Sequence, residues 1–151
     1  MALLAGFAAM TLPRMASFFQ GQKIKGEAHR FVALTQYGRN EAISTGLPMT
    51  LWINEDDRQY GLRDGYGYYT GNNNATNIGR IYDLGANLEF SQEMHHENTG
   101  MEWRIDFMPD GAIRNGSISN IIFELPAKEL LWITRSTNGL GYEIFGSERI
   151  Q

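Results

Sequence analysis

The sequence predicts an α+β fold in which one long N-terminal helix packs against an antiparallel β-sheet domain. Residues 3 to about 46 are rich in Ala, Leu, Met, Gln, Glu and Arg, which favour helix. Beyond Gly46 and Pro48 the chain changes to short runs of strand-forming residues, separated by turn formers such as Pro-Asp-Gly and Asn-Gly. A chain of 151 residues is typical of a single domain.

The second half of the predicted helix is amphipathic. Apolar or small residues recur there at steps of three and four, which places them on one helix face: Ile24, Ala28, Phe31, Leu34, Gly38 and Ala42. We expect this face to contact the β domain. Gly46 followed by Pro48 predicts the end of the helix.

The first part of the helix is apolar rather than amphipathic. Residues 2–12 are apolar except for Thr11, and Pro13, where we expect a kink, follows them. This run alone is too short to cross a bilayer, which needs ~20 residues. The whole predicted helix, from residue 3 to about residue 46, would be about 66 Å long. A β domain of roughly 100 residues has a diameter of only about 26 Å. We therefore predict a protruding apolar helix over residues 1–22 and a globular domain over residues 23–151.

The rest of the chain reads as strands and loops. The stretches MTLWIN (49–54) and RQYGLR (58–63) flank an acidic turn and predict a hairpin. The Gly- and Asn-rich stretch 64–79 and the polar stretch 92–100 predict loops. Further strands are predicted at 86–91 and then, as an antiparallel meander, at 103–108, 117–125, 130–135 and 141–145.

Composition excludes several classes of function. The absence of cysteine rules out disulfides, thiolate metal sites and cysteine nucleophiles. A formal net charge of −4, from 13 basic and 17 acidic residues, argues against binding nucleic acid by general phosphate attraction. We find no phosphate-binding loop and no dinucleotide fingerprint, and we expect no cofactor and no structural metal ion.

Two polar clusters are candidates for metal or acid–base sites. His95 and His96 are neighbours, so in a strand they would point to opposite faces, and a polar loop is the favoured interpretation. Asp56 and Asp57 lack the residue spacing of a calcium-binding loop, and a solvated hairpin turn is favoured.

A loop rich in tyrosine and asparagine is the first place to look for a specific contact surface. Aromatic faces beside amide side chains can hold a sugar or a protein partner, although a loop that packs on its own tyrosines is the favoured interpretation. The residues concerned are Tyr66, Tyr68, Tyr69, Asn72 and Asn73.

Three stretches resemble the GspH/FimT family of minor pseudopilins, which are type IV pilin-like proteins. ALTQYGRNEAISTGLPMTLWIN (33–54) is similar to the end of the family's helix and its first strand. IDFMPDGAIRNGSISNIIFEL (105–125) resembles the family's Phe-x-Pro-Asp-Gly hairpin, with Pro109, Asp110 and Gly111 in the turn, and TNGLGYEIF (137–145) its last turn and strand. The family's processing signature is absent, which we interpret as truncation inside the apolar segment.

The resemblance implies a pilin-like fold and a non-enzymatic subunit near the tip of a type II secretion pseudopilus. Its single helix would anchor it in the bacterial inner membrane, with the globular domain in the periplasm. The implied partners are other minor and major pseudopilins and secreted proteins, with no nucleic acid. The residues implied to pack in the membrane, and later against neighbouring helices in the filament, are Leu3, Leu4, Phe7, Met10, Leu12 and Pro13.

Three other functions stay open at this point. A FimT-like minor pilin would bind DNA for uptake, although Arg135 and Arg149 are isolated rather than clustered. A carbohydrate-binding β module could use the loop of tyrosines and asparagines. An enzyme that uses His95 and His96 is the least supported.

Overall fold

The computed structural model contains one helix and eight strands among the residues that it describes. These are residues 2–65, 76–85, 90–91, 103–125 and 129–149, with side chains described except at 2–18, 20, 90–91, 125, 129 and 146–149. The elements are α1 (Ala2–Thr45), β1 (Met49–Asn54), β2 (Gln59–Asp64), β3 (Asn77–Asp83), β4 (Phe90–Ser91), β5 (Trp103–Phe107), β6 (Asn120–Leu125), β7 (Glu129–Arg135) and β8 (Tyr142–Arg149).

The helix ends where the sequence predicts, and its predicted face is buried. Gly46 adopts a φ of +69° and donates its N–H to the carbonyl oxygen of Ala42 at 3.0 Å, which terminates α1. Ile24, Ala28 and Phe31 of the predicted stripe are buried, as are Gly38 and Ala42. The amphipathic pattern therefore identified the face that packs on the sheets.

The first sheet has the strand order β3-β2-β1-β5, with antiparallel pairs throughout. The predicted hairpin of β1 and β2 is confirmed, with Asn54 opposite Gln59. The predicted loop 64–79 is wrong at its end, because β3 begins at Asn77. A bulge in β3 lies opposite Gly61, and the exposed Arg80 stands midway between the half-buried Ile78 and Tyr82, so little apolar alternation is visible in its sequence.

The second sheet has the order β4-β6-β7-β8 and is also antiparallel. The predicted meander is confirmed for β6, β7 and β8. It does not include β5, which pairs instead with β1 of the first sheet, Ile105 lying opposite Leu51. After β5 the chain turns, forms an isolated bridge between Phe107 and Ile113, and crosses to the second sheet.

The core lies between α1 and the two sheets. The helix contacts β1 and β5 of the first sheet and β6, β7 and β8 of the second. Phe31 lies at the centre, with its ring centroid 5.5 Å from that of Tyr60 and 6.0 Å from that of Phe123. One helix side chain thus joins both sheets, since Tyr60 belongs to β2 and Phe123 to β6.

Candidate functional site

The turn after β5 is closed by its own backbone. Gly111 donates its N–H to the carbonyl oxygen of Met108 at 2.9 Å, and Met108 donates to that of Ala112 at 2.8 Å. The carboxylate of Asp110 accepts the N–H of Ala112 at 2.9 Å. Gly111 has a φ of +82°, a conformation that side chains with a Cβ rarely adopt. The structure therefore places Pro109, Asp110 and Gly111 in a tight, hydrogen-bonded turn.

This turn lies against the C-terminal part of α1. The Nε of Arg39 donates a hydrogen bond of 2.8 Å to the carbonyl oxygen of Gly111. A Cβ on Gly111 would lie 3.0 Å from a guanidinium nitrogen of Arg39 and 3.1 Å from the Cδ1 of Ile43. The backbone conformation thus favours glycine at this position, and the two helix side chains leave little room for a Cβ.

The segment after the turn runs back along β5. Arg114 donates its N–H to the carbonyl oxygen of Asp106 at 2.9 Å, and the N–H of Asp106 donates to the Oγ of Ser117 at 3.1 Å. Thr50 of β1 donates its hydroxyl to the buried carboxylate of Asp106 at 2.8 Å. The first two bonds fasten the segment to β5, at the edge of the first sheet, and the third joins β5 to β1.

The helix lies close against the first sheet at Gly38. A Cβ there would lie 2.7 Å from the Cδ1 of Leu62 and 3.1 Å from the ring of Phe107. A larger residue at this position would push α1 away from β2 and β5. Gly38 therefore sets the distance between helix and sheet.

A buried carboxylate joins the helix to the first sheet one turn before Phe31. Glu27 accepts the hydroxyl of Tyr60 at 2.5 Å, and Arg30 donates to the other carboxylate oxygen at 3.0 Å. The ring of Tyr60 stacks on that of Tyr82, with centroids 5.4 Å apart, and the guanidinium of Arg30 lies over Tyr82. This cluster was missed by the sequence analysis, because Glu27 and Tyr60 are 33 residues apart and no local pattern connects them.

Burial changes the acidity of two tyrosines. It raises the pKa of Tyr60 far above its ordinary value of 10.0, with a further contribution from the hydrogen bond to Glu27. It also raises the pKa of Tyr142, whose hydroxyl donates to the carbonyl oxygen of Ile118. Both groups are therefore neutral hydrogen-bond donors that hold elements together, rather than acids that transfer protons near neutral pH.

A groove of about 390 Å³ separates the helix from the turn between β7 and β8. Gln36, Arg39 and Asn40 line it on the helix side, and Ser136, Asn138 and Leu140 on the turn side. Four of these six residues carry an amide or a hydroxyl group, and Tyr142 and Glu143 of β8 also line the groove. The lining thus combines amide, hydroxyl and charged groups with apolar surface.

Two arginines of the β domain donate hydrogen bonds within the fold. Arg135 donates to the carbonyl oxygens of Ile113 and Gly139, at 3.0 and 3.3 Å. Arg58 donates to the carbonyl oxygen of Gly85 at 2.9 Å. These two guanidinium groups stabilise loop ends, which leaves them poorly placed to neutralise phosphates.

For several predicted site residues, the structure describes either no position or no side chain. Tyr66, Tyr68, Tyr69, Asn72 and Asn73 fall outside the described residues, as do His95 and His96. Leu3, Leu4, Phe7, Met10, Leu12 and Pro13 lie in α1, but their side chains are not described. Within the described part of the chain, no three His, Asp or Glu residues come together as a metal-binding group.

The region in which the helix, the turn and the sheets meet matches a known protein family. A family model described as type II transport protein GspH matches residues 27–132, more than half of the chain. The chain belongs to the GspH family. The GspH match begins at Glu27, so it includes the buried carboxylate, Gly38 and the turn at Gly111.

Two solved structures share the fold of this GspH-family chain. Both are of the minor pseudopilin EpsH from the type II secretion system of Vibrio cholerae. One covers 81% of this chain and 95% of its own, with a TM-score of 0.56 and 14% identity. The other covers 87% and 99%, with a TM-score of 0.54 and 13% identity. No curated protein sequence matches the chain. The fold is thus pilin-like, with one N-terminal helix on antiparallel sheets.

Proposed function

We propose that this chain is a minor pseudopilin that forms part of a type II secretion pseudopilus, near its tip. The observation that carries the proposal is the GspH family match over residues 27–132. The fold shared with EpsH supports it. The role that we propose is structural and non-enzymatic, in keeping with this family match.

The contacts of α1 explain how such a subunit would work. Glu27 holds the helix to β2, Gly38 brings it close to the first sheet, and Arg39 ties it to the turn after β5. The second half of the helix and the β domain are therefore coupled along several turns. A helix that is packed among neighbouring helices would present its β domain in one orientation on the filament surface.

The apolar sequence of residues 2–12 supports a role for the first part of α1 in the inner membrane and in the filament. No stretch of helix within the described residues is apolar enough, over the length required, to span a bilayer. We place the side chains of Leu3, Phe7 and Leu12 in apolar contacts, with lipid before assembly and with neighbouring helices afterwards. The β domain would then lie in the periplasm.

Deletion of the gene in the bacterium that encodes it tests this function. Type II substrates are expected to accumulate in the periplasm at unchanged total levels, and a plasmid copy is expected to restore their release. Natural transformation, measured in the same strains, serves as the second readout. A deletion strain that secretes normally but loses DNA uptake would contradict the proposal and favour a FimT-like pilin.

A further inference from the structure

The outer face of the second sheet carries an apolar row. The strand register places Ile122 opposite Trp132 and Trp132 opposite Phe145, so these three residues lie side by side on β6, β7 and β8. Their neighbours Ile121, Ile133 and Ile144 point the other way, into the core or against it. Exposure rises towards the edge, from 5% at Ile122 to 72% at Phe145.

Exposed carboxylates lie on both sides of this row. Glu143 precedes Phe145 by two residues on β8, and Glu124 follows Ile122 by two on β6, so both lie on the same face as the row. Both side chains are exposed. We call the surface formed by Trp132, Phe145, Glu124 and Glu143 the acidic-rimmed face, while Ile122 of the same row is buried.

The acidic-rimmed face lies at a sheet edge. Among the described residues no strand pairs with the outer side of β8, which is the last strand of its sheet. Phe145 is the most exposed large apolar side chain among the described residues. It lies on this edge strand, whose outer side offers unpaired backbone groups. A large apolar side chain at an open edge, with a charged rim, is typical of a surface that binds a partner.

The negative charges of this face determine which kinds of partner can bind it. A second copy that docked through the same face would bring Glu124 and Glu143 against their own equivalents, and like charges in an interface are unfavourable. Anionic lipid and nucleic acid would be repelled for the same reason. The complementary partner is a protein that presents an apolar side chain flanked by Lys or Arg.

We propose that the acidic-rimmed face is the site at which another pseudopilin docks, through an apolar side chain flanked by basic residues. This inference rests on the proposed function, because it assigns one of the subunit contacts of the pseudopilus to a defined surface. Phe145 supplies the buried anchor of the interface, and Glu124 and Glu143 set its orientation and its preference for basic partners.

Binding of the full chain to purified soluble domains of the other pseudopilins of the same secretion system tests the proposal. Each pseudopilin is titrated separately and the Kd is measured by fluorescence anisotropy. Phe145→Ser is expected to weaken binding about tenfold or more, because truncation of a central aromatic anchor typically has effects of this size. Glu143→Lys is expected to weaken binding severalfold, and that effect should shrink as salt is raised.

Matched controls separate this face from the rest of the surface. Ile81→Ser removes another exposed apolar side chain, on the edge strand of the first sheet, and Glu55→Lys makes the same charge change in the β1–β2 turn. Both are expected to leave the Kd within about twofold. All four positions are at the surface, so unchanged thermal transitions would show that each variant folds.

The outcomes distinguish this proposal from the proposed function. If a pseudopilin binds Phe145→Ser and Glu143→Lys as tightly as it binds the wild type, the acidic-rimmed face is not the docking site. The proposed role in assembly would then remain intact. Self-association of the chain that Phe145→Ser abolishes would overturn the choice of occupant in favour of a second copy. Failure of every pseudopilin to bind the wild-type chain would contradict the proposed function itself.

Discussion

The Nε of Arg39 lies 2.8 Å from the carbonyl oxygen of Gly111, 72 residues further along the chain. This bond connects the helix to the turn that follows β5. It is a long-range contact between two segments that each resemble the GspH/FimT family in sequence. The part of the chain that carries the family resemblance is thus also the part that fixes the helix on the β domain.

Substitution of Gly111 by valine is expected to lower the free energy of unfolding more than substitution of Gly116 by valine. Both glycines have a positive φ, +82° and +90°, so valine introduces backbone strain of ~1–3 kcal/mol at either position. Only Gly111 has Arg39 and Ile43 against the new Cβ, whereas nothing lies within 4 Å at Gly116. Chemical denaturation should show a larger loss for Gly111→Val, by about 1 kcal/mol or more. Equal losses would show that the turn does not press on the helix.

Two helix glycines should respond in opposite directions to alanine. Gly26 has nothing within 4 Å of a new Cβ, so Gly26→Ala should stabilise the protein by up to ~1 kcal/mol through helix propensity. Gly38→Ala gains the same propensity but places its Cβ 2.7 Å from Leu62, and a net loss of about 1–3 kcal/mol is expected. Thermal denaturation of the two variants measures the difference. Stabilisation by both would mean that α1 is not held against the first sheet at this point.

Stability is expected to fall with pH above the ordinary tyrosine pKa. The folded chain keeps Tyr60 and Tyr142 protonated, whereas in the unfolded chain both ionise near 10.0. Their contribution to the free energy of unfolding is therefore constant below that pH and declines above it, by up to ~1.4 kcal/mol per pH unit for each group. Urea unfolding at several alkaline pH values should show a shallower decline in Tyr142→Phe than in the wild type.

Phenolate absorbance gives an independent check of the same prediction. The chain has seven tyrosines, and two of them are expected to ionise only when the protein unfolds. A single titration of all seven near pH 10, in the folded protein, would contradict the burial of Tyr60 and Tyr142.

The sequence predicts the helix and most strands because local signals define them. The stripe from Ile24 to Ala42 repeats at helical spacing, and Gly46 stops the helix. Strand β3 has a weaker signal, because its inward residues Ile78 and Tyr82 lie four positions apart across a bulge, with the exposed Arg80 midway between them.

Strand pairing and buried polar contacts depend on parts of the chain that are distant in sequence. Nothing local indicates that Ile105 lies opposite Leu51 rather than in a sheet with β6. The bond between Glu27 and Tyr60 likewise forms only once α1 has packed on β2. The acidic-rimmed face was also not predicted, since the placement of Trp132 beside Phe145 requires the register of β7 and β8.

The chain is not expected to bind DNA strongly. Non-specific affinity comes from Lys and Arg side chains that neutralise phosphates, and the salt slope grows by ~0.9 for each phosphate neutralised. Here 13 basic residues are outnumbered by 17 acidic ones, and Arg58 and Arg135 donate to carbonyl oxygens within the fold. Electrophoretic mobility at ~0.15 M salt and micromolar protein should show no retardation of duplex DNA. Tight, salt-sensitive binding would favour the DNA-uptake alternative.

Cysteine cross-linking in the cell tests most directly whether this chain is a subunit of the pseudopilus. The chain has no cysteine of its own, so Leu12→Cys provides a unique thiol in the apolar part of α1, and Glu55→Cys provides one in the exposed hairpin turn. Each is paired with another pseudopilin that carries a cysteine in its own helix. Mild oxidation is expected to yield a disulfide-linked heterodimer from Leu12→Cys and none from Glu55→Cys. If the Leu12→Cys variant forms no cross-link with any pseudopilin, in cells that secrete normally, the chain is not a subunit of the pseudopilus.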